Sequence, residues 1–219
     1  MKVFIGAHPD DIEIGCGAYL LSLREKSFTE HCTAITLSSG SSNENIEIHT
    51  KRRAFCIKNF EFLDLKFYKI LNHNALNFHN EYDKIKNDLI LISKELFKSN
   101  DLIEVYFHSA DNHEDHKIVN KIVKEVFRPF DVYALYEYEI PQANIYNQPG
   151  DDFNIYFDFI EKMAREKQEL LNNYKDISLF ERNDARDINF TLKWNKIQGE
   201  RFGFDYTERF KLIFKNKRN

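Results

Sequence analysis

The amino-acid sequence predicts an α/β fold, Rossmann-like, in which a mostly parallel sheet carries helices on both faces. Three observations predict it. Short β-type apolar runs alternate with longer segments of helical spacing through most of the 219 residues, a rhythm that favours parallel strands joined by crossover helices. No repeat, low-complexity tract or Pro/Gly-rich linker interrupts it. Two of the strands end abruptly in clusters of His and Asp, at the carboxyl ends where open α/β sheets place their ligands.

Taken in chain order, "KVFIGA" is the first strand, and Ile14 to Lys26 has helical spacing through Tyr19, Leu20 and Leu23. "CTAITL" is the second strand. The polar loop "SSGSSNEN" follows it and yields to a helix through Ala54 to Phe60. "FEFLDL" reads as a third strand. "YDKIKNDLILISKELF" sets Ile85, Leu89, Ile92 and Leu96 along one helical face. "LIEVYF" and "VYALYEY" are two further strands, with the helical "HKIVNKIVKEVF" between them. Beyond Pro141 the rhythm changes to a polar loop, a long helix over about Asn154 to Tyr174, an irregular stretch and a final strand at "RFKLIF". Residues 1–219 are expected to form one domain, with 142–219 as a C-terminal extension covering the sheet.

Composition narrows the function. With 42% hydrophobic and 30% charged residues the chain is globular, and with a net charge of −4 from 31 basic and 35 acidic residues nothing suggests nucleic acid as the main partner, so none is expected. The basic run from Arg209 to Arg218 reads as a solvated end. No segment approaches the roughly 18 to 20 apolar residues of a membrane span, so no membrane anchor is expected. Met1 runs directly into the first strand, and Cys16, Cys32 and Cys56 form neither a CxxC pair nor an even disulfide framework. A reducing, cytoplasmic setting is the expectation. The 20 Phe and 11 Tyr read as core.

The chemistry lies in two clusters. The first strand ends in "AHPDD", with His8, Asp10 and Asp11; the fourth ends in "HSADNHEDH", residues 108 to 116. If both strands are central and parallel, the two loops open on the same edge. A catalytic Zn²⁺ takes three protein ligands and leaves a position for water. His8, one of the two adjacent aspartates, and one of His108, His113 and His116 could supply them. Successive side chains at a strand end point different ways, so one aspartate can bind metal while the other faces substrate. The residues left over have work to do. A carboxylate can take a proton from a metal-bound water, and an imidazole can stabilise an oxyanion and protonate a leaving nitrogen. His113 and His116, three apart, share a face of a helical first turn.

At these residues the sequence resembles the zinc-dependent de-N-acetylases of the LmbE/PIG-L group, whose signature is A-H-P-D-D with a distant D-x-H-x-D-H. Here these stand as "AHPDDIEIGCG" (Ala7 to Gly17) and "DNHEDH" (Asp111 to His116). Smaller echoes follow in "LSSG" with "KRR", "LYEYEIP", "KQELLNNYKDIS" and "YTERF". The resemblance implies that His8, Asp11 and His116 hold the zinc and Asp10 is the general base. It makes His113 the stabiliser and acid, with Asp115 fixing its orientation, so that Asp10, His113 and Asp115 form the catalytic set. Arg52 or Arg53 could contact a sugar or phosphate. The chain also departs from the pattern. Ile12 stands where many members have Glu, and Glu13 follows. No acidic residue follows Arg52 and Arg53 as in the family's Arg-x-x-Glu, and the loop "KILNHNALNFHN" (69–80) is unfamiliar.

The implied activity is metal-dependent removal of an N-acetyl group from an N-acetylated amino sugar or its conjugate, a small molecule, with Zn²⁺ as cofactor and Fe²⁺ able to replace it at N/O ligands. Rivals are an amidase acting on a thiol conjugate or a non-sugar N-acyl metabolite, and an idle metal- or sugar-binding module. A nucleotide-binding reading lacks the third glycine of its fingerprint. The oligomeric state stays open, a homo-oligomer included. His31, His49, His73 and His79 read as surface or satisfied core residues, and His108 as structural rather than catalytic. Gly15 and Gly17 read as helix-packing positions, Cys16 as buried, and Asp111 as shaping the loop or supporting the site from outside. Glu13 is expected to hydrogen-bond within the site or cap the first helix.

Overall fold

The computed structural model describes residues 1–40, 46–99, 102–128, 131–144, 152–175 and 188–216. Strand β1 (Lys2–Gly6) leads into helix α1 (Asp11–Glu25), then β2 (Cys32–Thr36), α2 (Ile46–Phe62) and β3 (Phe67–Ile70). After them come α3 (Tyr82–Leu96), β4 (Glu104–His108), α4 (Glu114–Val126), β5 (Ala134–Tyr138) and the single turn α5 (Pro141–Asn144). The chain finishes with β6 (Ile155–Phe159), α6 (Glu161–Asn172), α7 (Ile188–Phe202) and β7 (Tyr206–Lys215).

The seven strands form one sheet in the order β3-β2-β1-β4-β5-β7-β6. β1 pairs in parallel with β2 and β4, placing Ile5 beside Ile35 and Phe107. Alternation along β1 sends side chains to both faces. Phe4 packs with Ile12, Cys16 and Leu20 of α1 and Phe60 of α2. Val3 and Ile5 pack with Ile85 and Leu89 of α3 and Val119 and Val123 of α4. The expected mostly parallel sheet, flanked on both faces, is the fold observed.

Gly15 shows why a small residue stands in α1. A Cβ there would lie 2.2 Å from the ring of Tyr138, which is buried and donates its hydroxyl to the Ile5 carbonyl at 2.8 Å. At Gly17 an added Cβ would meet the stem of Lys167 at 3.3 Å. Both are packing positions, and Cys16 between them is fully buried.

Three expectations are corrected. "FEFLDL" is the end of α2 rather than a strand. The Leu65 amide donates to the Phe60 carbonyl at 2.9 Å across Asp64, whose φ of 56° is left-handed, a Schellman-type stop. Helical spacing buries Phe60 and Leu63 and leaves Phe62 outside. The third strand comes later, at β3. The long helix over 154–174 is divided instead: Asn154 to Phe159 runs as β6 and its preceding residue, and α6 begins at Glu161. The irregular stretch before the last strand contains α7; its residues 176–187 lie outside the described residues.

The C-terminal residues extend the sheet as well as flanking it. β7 runs antiparallel between β5 and β6. Buried Glu208 on β7 accepts the Ala18 and Tyr19 amides of α1 at 2.7 and 2.9 Å. Lys167 of α6 donates to Glu208 (2.7 Å), to the Ile14 carbonyl (2.7 Å) and to Asn195 Oδ1 of α7 (3.1 Å). One buried ion pair thus ties four elements together. Among the described residues no helix is long and apolar enough to cross a membrane.

Candidate metal centre

From β1 the chain winds one way, to β2 and β3, and from β4 the other way, to β5. The crevice beyond the carboxyl ends of β1 and β4 is therefore the topological switch point, where such sheets bind ligands. Both His/Asp clusters open onto it.

The first cluster is shaped by a strained turn. Asp10, the residue before α1, has φ 100° and ψ −29°, a left-handed backbone that costs a non-glycine residue about 1–3 kcal/mol. The twist separates the neighbouring carboxylates. Asp11 becomes the first residue of α1 and accepts the His8 amide at 2.8 Å, while Asp10 precedes the helix. The second cluster is shaped by hydrogen bonds. Asp111, itself buried, accepts the His113 amide at 2.8 Å on one oxygen and holds His116 Nδ1 at 2.6 Å with the other. His113 precedes α4, and its Nδ1 accepts the Asp115 amide at 3.2 Å.

Three groups converge between the loops. His8, Asp11 and His116 each offer one ligand atom, all within 4.8 Å of one another; His116 Nε2 is 3.4 Å from Asp11 Oδ1 and His8 Nδ1 is 3.5 Å from Asp11 Oδ2. Two imidazole nitrogens and a carboxylate are a catalytic zinc donor set. Because Asp111 occupies Nδ1 of His116, Nε2 is left for a cation, with a carboxylate behind the imidazole as metal sites commonly have. The residues fit the ion. A second group, His8, His113 and Asp115, also has its ligand atoms within 4.8 Å of one another and shares His8.

The cluster's electrostatics follow from burial and crowding. Burial, then the Asp11 charge beside it, pushes the Asp10 carboxyl well above the usual range. Burial works against ionised Asp11, but the His116 charge and hydrogen bonds from His116 and His8 hold it well below. Burial likewise opposes the charged histidines. Hydrogen bonds to Asp11 and Asp115 still lift His8 to about 9, and the Asp11 charge lifts His116 to about 10. His113 moves the other way, to about 4, through burial and the His8 and His116 charges.

The remaining residues divide. Asp115 fixes His113 through its backbone amide, whereas its carboxylate lies 3.0 Å from His8 Nε2 and accepts the Leu76 amide at 2.6 Å and the Phe78 amide at 3.3 Å. It was expected to orient the His113 ring with its side chain; α4 turns that side chain toward the loop after β3. The Arg52 charge acts on Asp10. Arg53 donates instead to the Ile70 carbonyl at the end of β3 (2.9 Å). Glu13 is buried against Asn59 (2.9 Å) and the Tyr174 hydroxyl (2.7 Å). His108 ends β4 fully buried, its ring stacked 4.2 Å from that of His116, and neither ring nitrogen has a hydrogen-bond partner among the described residues. The amides of Leu76 and Phe78 were missed by sequence reasoning, since backbone donors carry no residue signature.

Comparison with known proteins adds the following. The family described as PIG-L, GlcNAc-PI de-N-acetylase, matches residues 3–127. The uncharacterized deacetylase YaiS of Escherichia coli is 34% identical over 120 residues, 52% of this chain; the match spans 61% of that relative's length. Among solved structures, the conserved protein TT1542 from Thermus thermophilus has a TM-score of 0.72 at 18% identity, covering 100% of this chain and 96% of its own. N,N'-diacetylchitobiose deacetylase from Pyrococcus horikoshii has a TM-score of 0.70 at 18% identity, covering 97% and 83%. The zinc inhibited form of teicoplanin deacetylase Orf2 has a TM-score of 0.74 at 12% identity, covering 100% and 99%. At these identities the structural likeness is one of fold.

Proposed function

The chain belongs to the PIG-L family of deacetylases, and from that premise we propose that it is a metal-dependent hydrolase. It takes the N-acetyl group from an N-acetylated amino sugar or its conjugate, releasing acetate and a free amine. The observation that carries the reading is the convergence of His8, Asp11 and His116 at the switch point, with Asp10 and His113 beside them. A deacetylase acting on diacetylchitobiose and one acting on teicoplanin share the fold, which supports an acetylated sugar as the substrate class.

His8, Asp11 and His116 would hold Zn²⁺, or Fe²⁺, which supplies a polarised amide carbonyl and a water of lowered pKa. Asp10, raised by burial and by Asp11, is a stronger base than a surface carboxylate and takes the proton of the attacking water. His113 receives the Asp115 amide on Nδ1, so its neutral ring carries its proton on Nε2. From there it hydrogen-bonds the oxyanion and stays neutral, and the proton that Asp10 took from the water passes to the nitrogen of the leaving amine. Arg52, whose charge reaches Asp10, would meet a polar part of the substrate. We read the chain as one domain, because β7 pairs with β5. Its setting is read as cytoplasmic, which the buried free thiols of Cys16, Cys32 and Cys56 fit.

The test compares wild type with His116→Ala for zinc and iron content and for acetate released from N-acetylglucosamine and its conjugates. Near-stoichiometric metal and acetate in wild type, both lost in the variant, is the expected result. Wild-type protein that takes up no added metal would overturn the reading.

A further inference from the structure

We propose that Asp115 and the loop between β3 and α3 form a positioning system that holds His8 as its Nε2–H tautomer and so offers Nδ1 to the cation. The inference rests on the metal reading above and assigns a role to the 69–80 loop, which that reading leaves unused.

His8 is claimed from two sides. Asp11 Oδ2 lies 3.5 Å from Nδ1 and Asp115 Oδ2 lies 3.0 Å from Nε2, and each carboxylate belongs to one of the two close groups that share His8. A neutral imidazole has one lone pair and one N–H, so a single ion can use only one side. Asp115 decides which. Its carboxylate is 1% exposed and sits 3.0 Å from Nε2. Were Nε2 unprotonated, two acceptors would face each other in a buried place, an arrangement that buried polar groups avoid. A proton on Nε2 turns the same contact into a hydrogen bond and leaves the Nδ1 lone pair on the side of Asp11, the carboxylate grouped with His8 and His116.

The loop holds Asp115 in that place. Leu76 donates to Oδ2 at 2.6 Å and Phe78 to Oδ1 at 3.3 Å. Leu76 does so with a left-handed backbone, φ 66°, unfavourable for a branched apolar residue. Its side chain is 70% exposed, so packing does not impose the conformation. The loop is anchored on either side. The His73 amide donates to the Leu37 carbonyl beyond β2 at 3.1 Å, and its buried ring meets Glu81, just before α3, at 3.0 Å. The Phe78 ring stacks on His8 with centroids 5.9 Å apart and 26° between planes, which limits rotation of the imidazole. Asp115 therefore governs two rings at once, His8 through its carboxylate and His113 through its amide.

The test reads the nitrogens directly. Full-length protein with ¹⁵N-labelled histidine is loaded with one equivalent of zinc, and long-range ¹H–¹⁵N spectra are recorded. A metal-shifted Nδ1 and a protonated Nε2 at His8 are expected; zinc on Nε2 would overturn the proposal while leaving the metal site intact. Zinc affinity is then measured by chelator competition for wild type and Asp115→Asn, with a loss of about 10- to 100-fold expected, as for other partners of ligating histidines. A folded Asp115→Asn protein with wild-type affinity would also overturn it. If the variant does not fold, the wild-type spectrum decides alone. Failure of wild type to bind zinc at all would instead remove the metal reading, and this proposal with it.

Discussion

Asp10 and Asp11 are chemically identical neighbours, and one left-handed residue gives them opposite electrostatics. Asp10→Asn should keep the metal, because the convergent donors are His8, Asp11 and His116. It should lower kcat about 100- to 10,000-fold, the usual range for a lost general base. Elemental analysis beside an acetate assay checks both halves. The histidines set a pH dependence in chelator-treated protein. His8 at about 9 and His116 at about 10 bind protons more tightly folded than at the ordinary 6.5. Their contribution is complete below pH 6.5 and is lost as the pH rises through 9 to 10. His113, at about 4, works oppositely, adding stability as the pH rises from 4 toward 6.5. Thermal melts across that range should peak near the middle; a melting temperature that climbs steadily to pH 10 would contradict the assignment. The convergence of His8, Asp11 and His116 was legible because their types and their places at two strand ends are themselves the signal. The target of the Asp115 carboxylate was not, since it depends on where a distant loop's amides fall.

Elements obey packing more than local alternation. "FEFLDL" alternates like a strand, yet the chain completes a helical turn there and places Phe60 and Leu63 under α2. Asn154 to Phe159 reads equally well as helix until pairing with β7 is known, and that pairing is long-range. Strands β1, β2, β4 and β5 were legible because each is an apolar run bounded by polar loops; the two edges were not, because β3 is largely exposed and β6 only half-buried. Within α1, Gly15→Ala would drive a methyl group against the Tyr138 ring, with contacts of 2.2 to 2.8 Å. Overpacking of this kind costs about 1–3 kcal/mol, and denaturant unfolding should show the loss. Unchanged stability would mean that α1 can move off the sheet.

Across the whole molecule, the minor sequence echoes turn out to be a frame. Lys167 of "KQELLNNYKDIS" meets Glu208 of "YTERF"; Tyr174 of the former reaches Glu13; Arg209 of the latter holds Glu139 of "LYEYEIP". Nothing in those motifs read separately says that they touch. Lys167→Met leaves Glu208 buried without its cation and should cost about 3–5 kcal/mol. Adding Glu208→Leu should not restore stability, because the Ala18 and Tyr19 amides would lose their acceptor. Urea unfolding of both variants tests this, and recovery in the double variant would show that the amides find other partners.

Strand β1 lies inside the sheet, and its partner β4 follows it by about a hundred residues, Lys2 beside Glu104. Chains are synthesised at about 5–20 residues per second. On the ribosome, then, His8 and Asp11 exist for roughly 5–20 s before His116 is added at that rate. On the proposed metal reading, half of the chelating set is therefore made well before the residue and the fold that would complete it and select among ions.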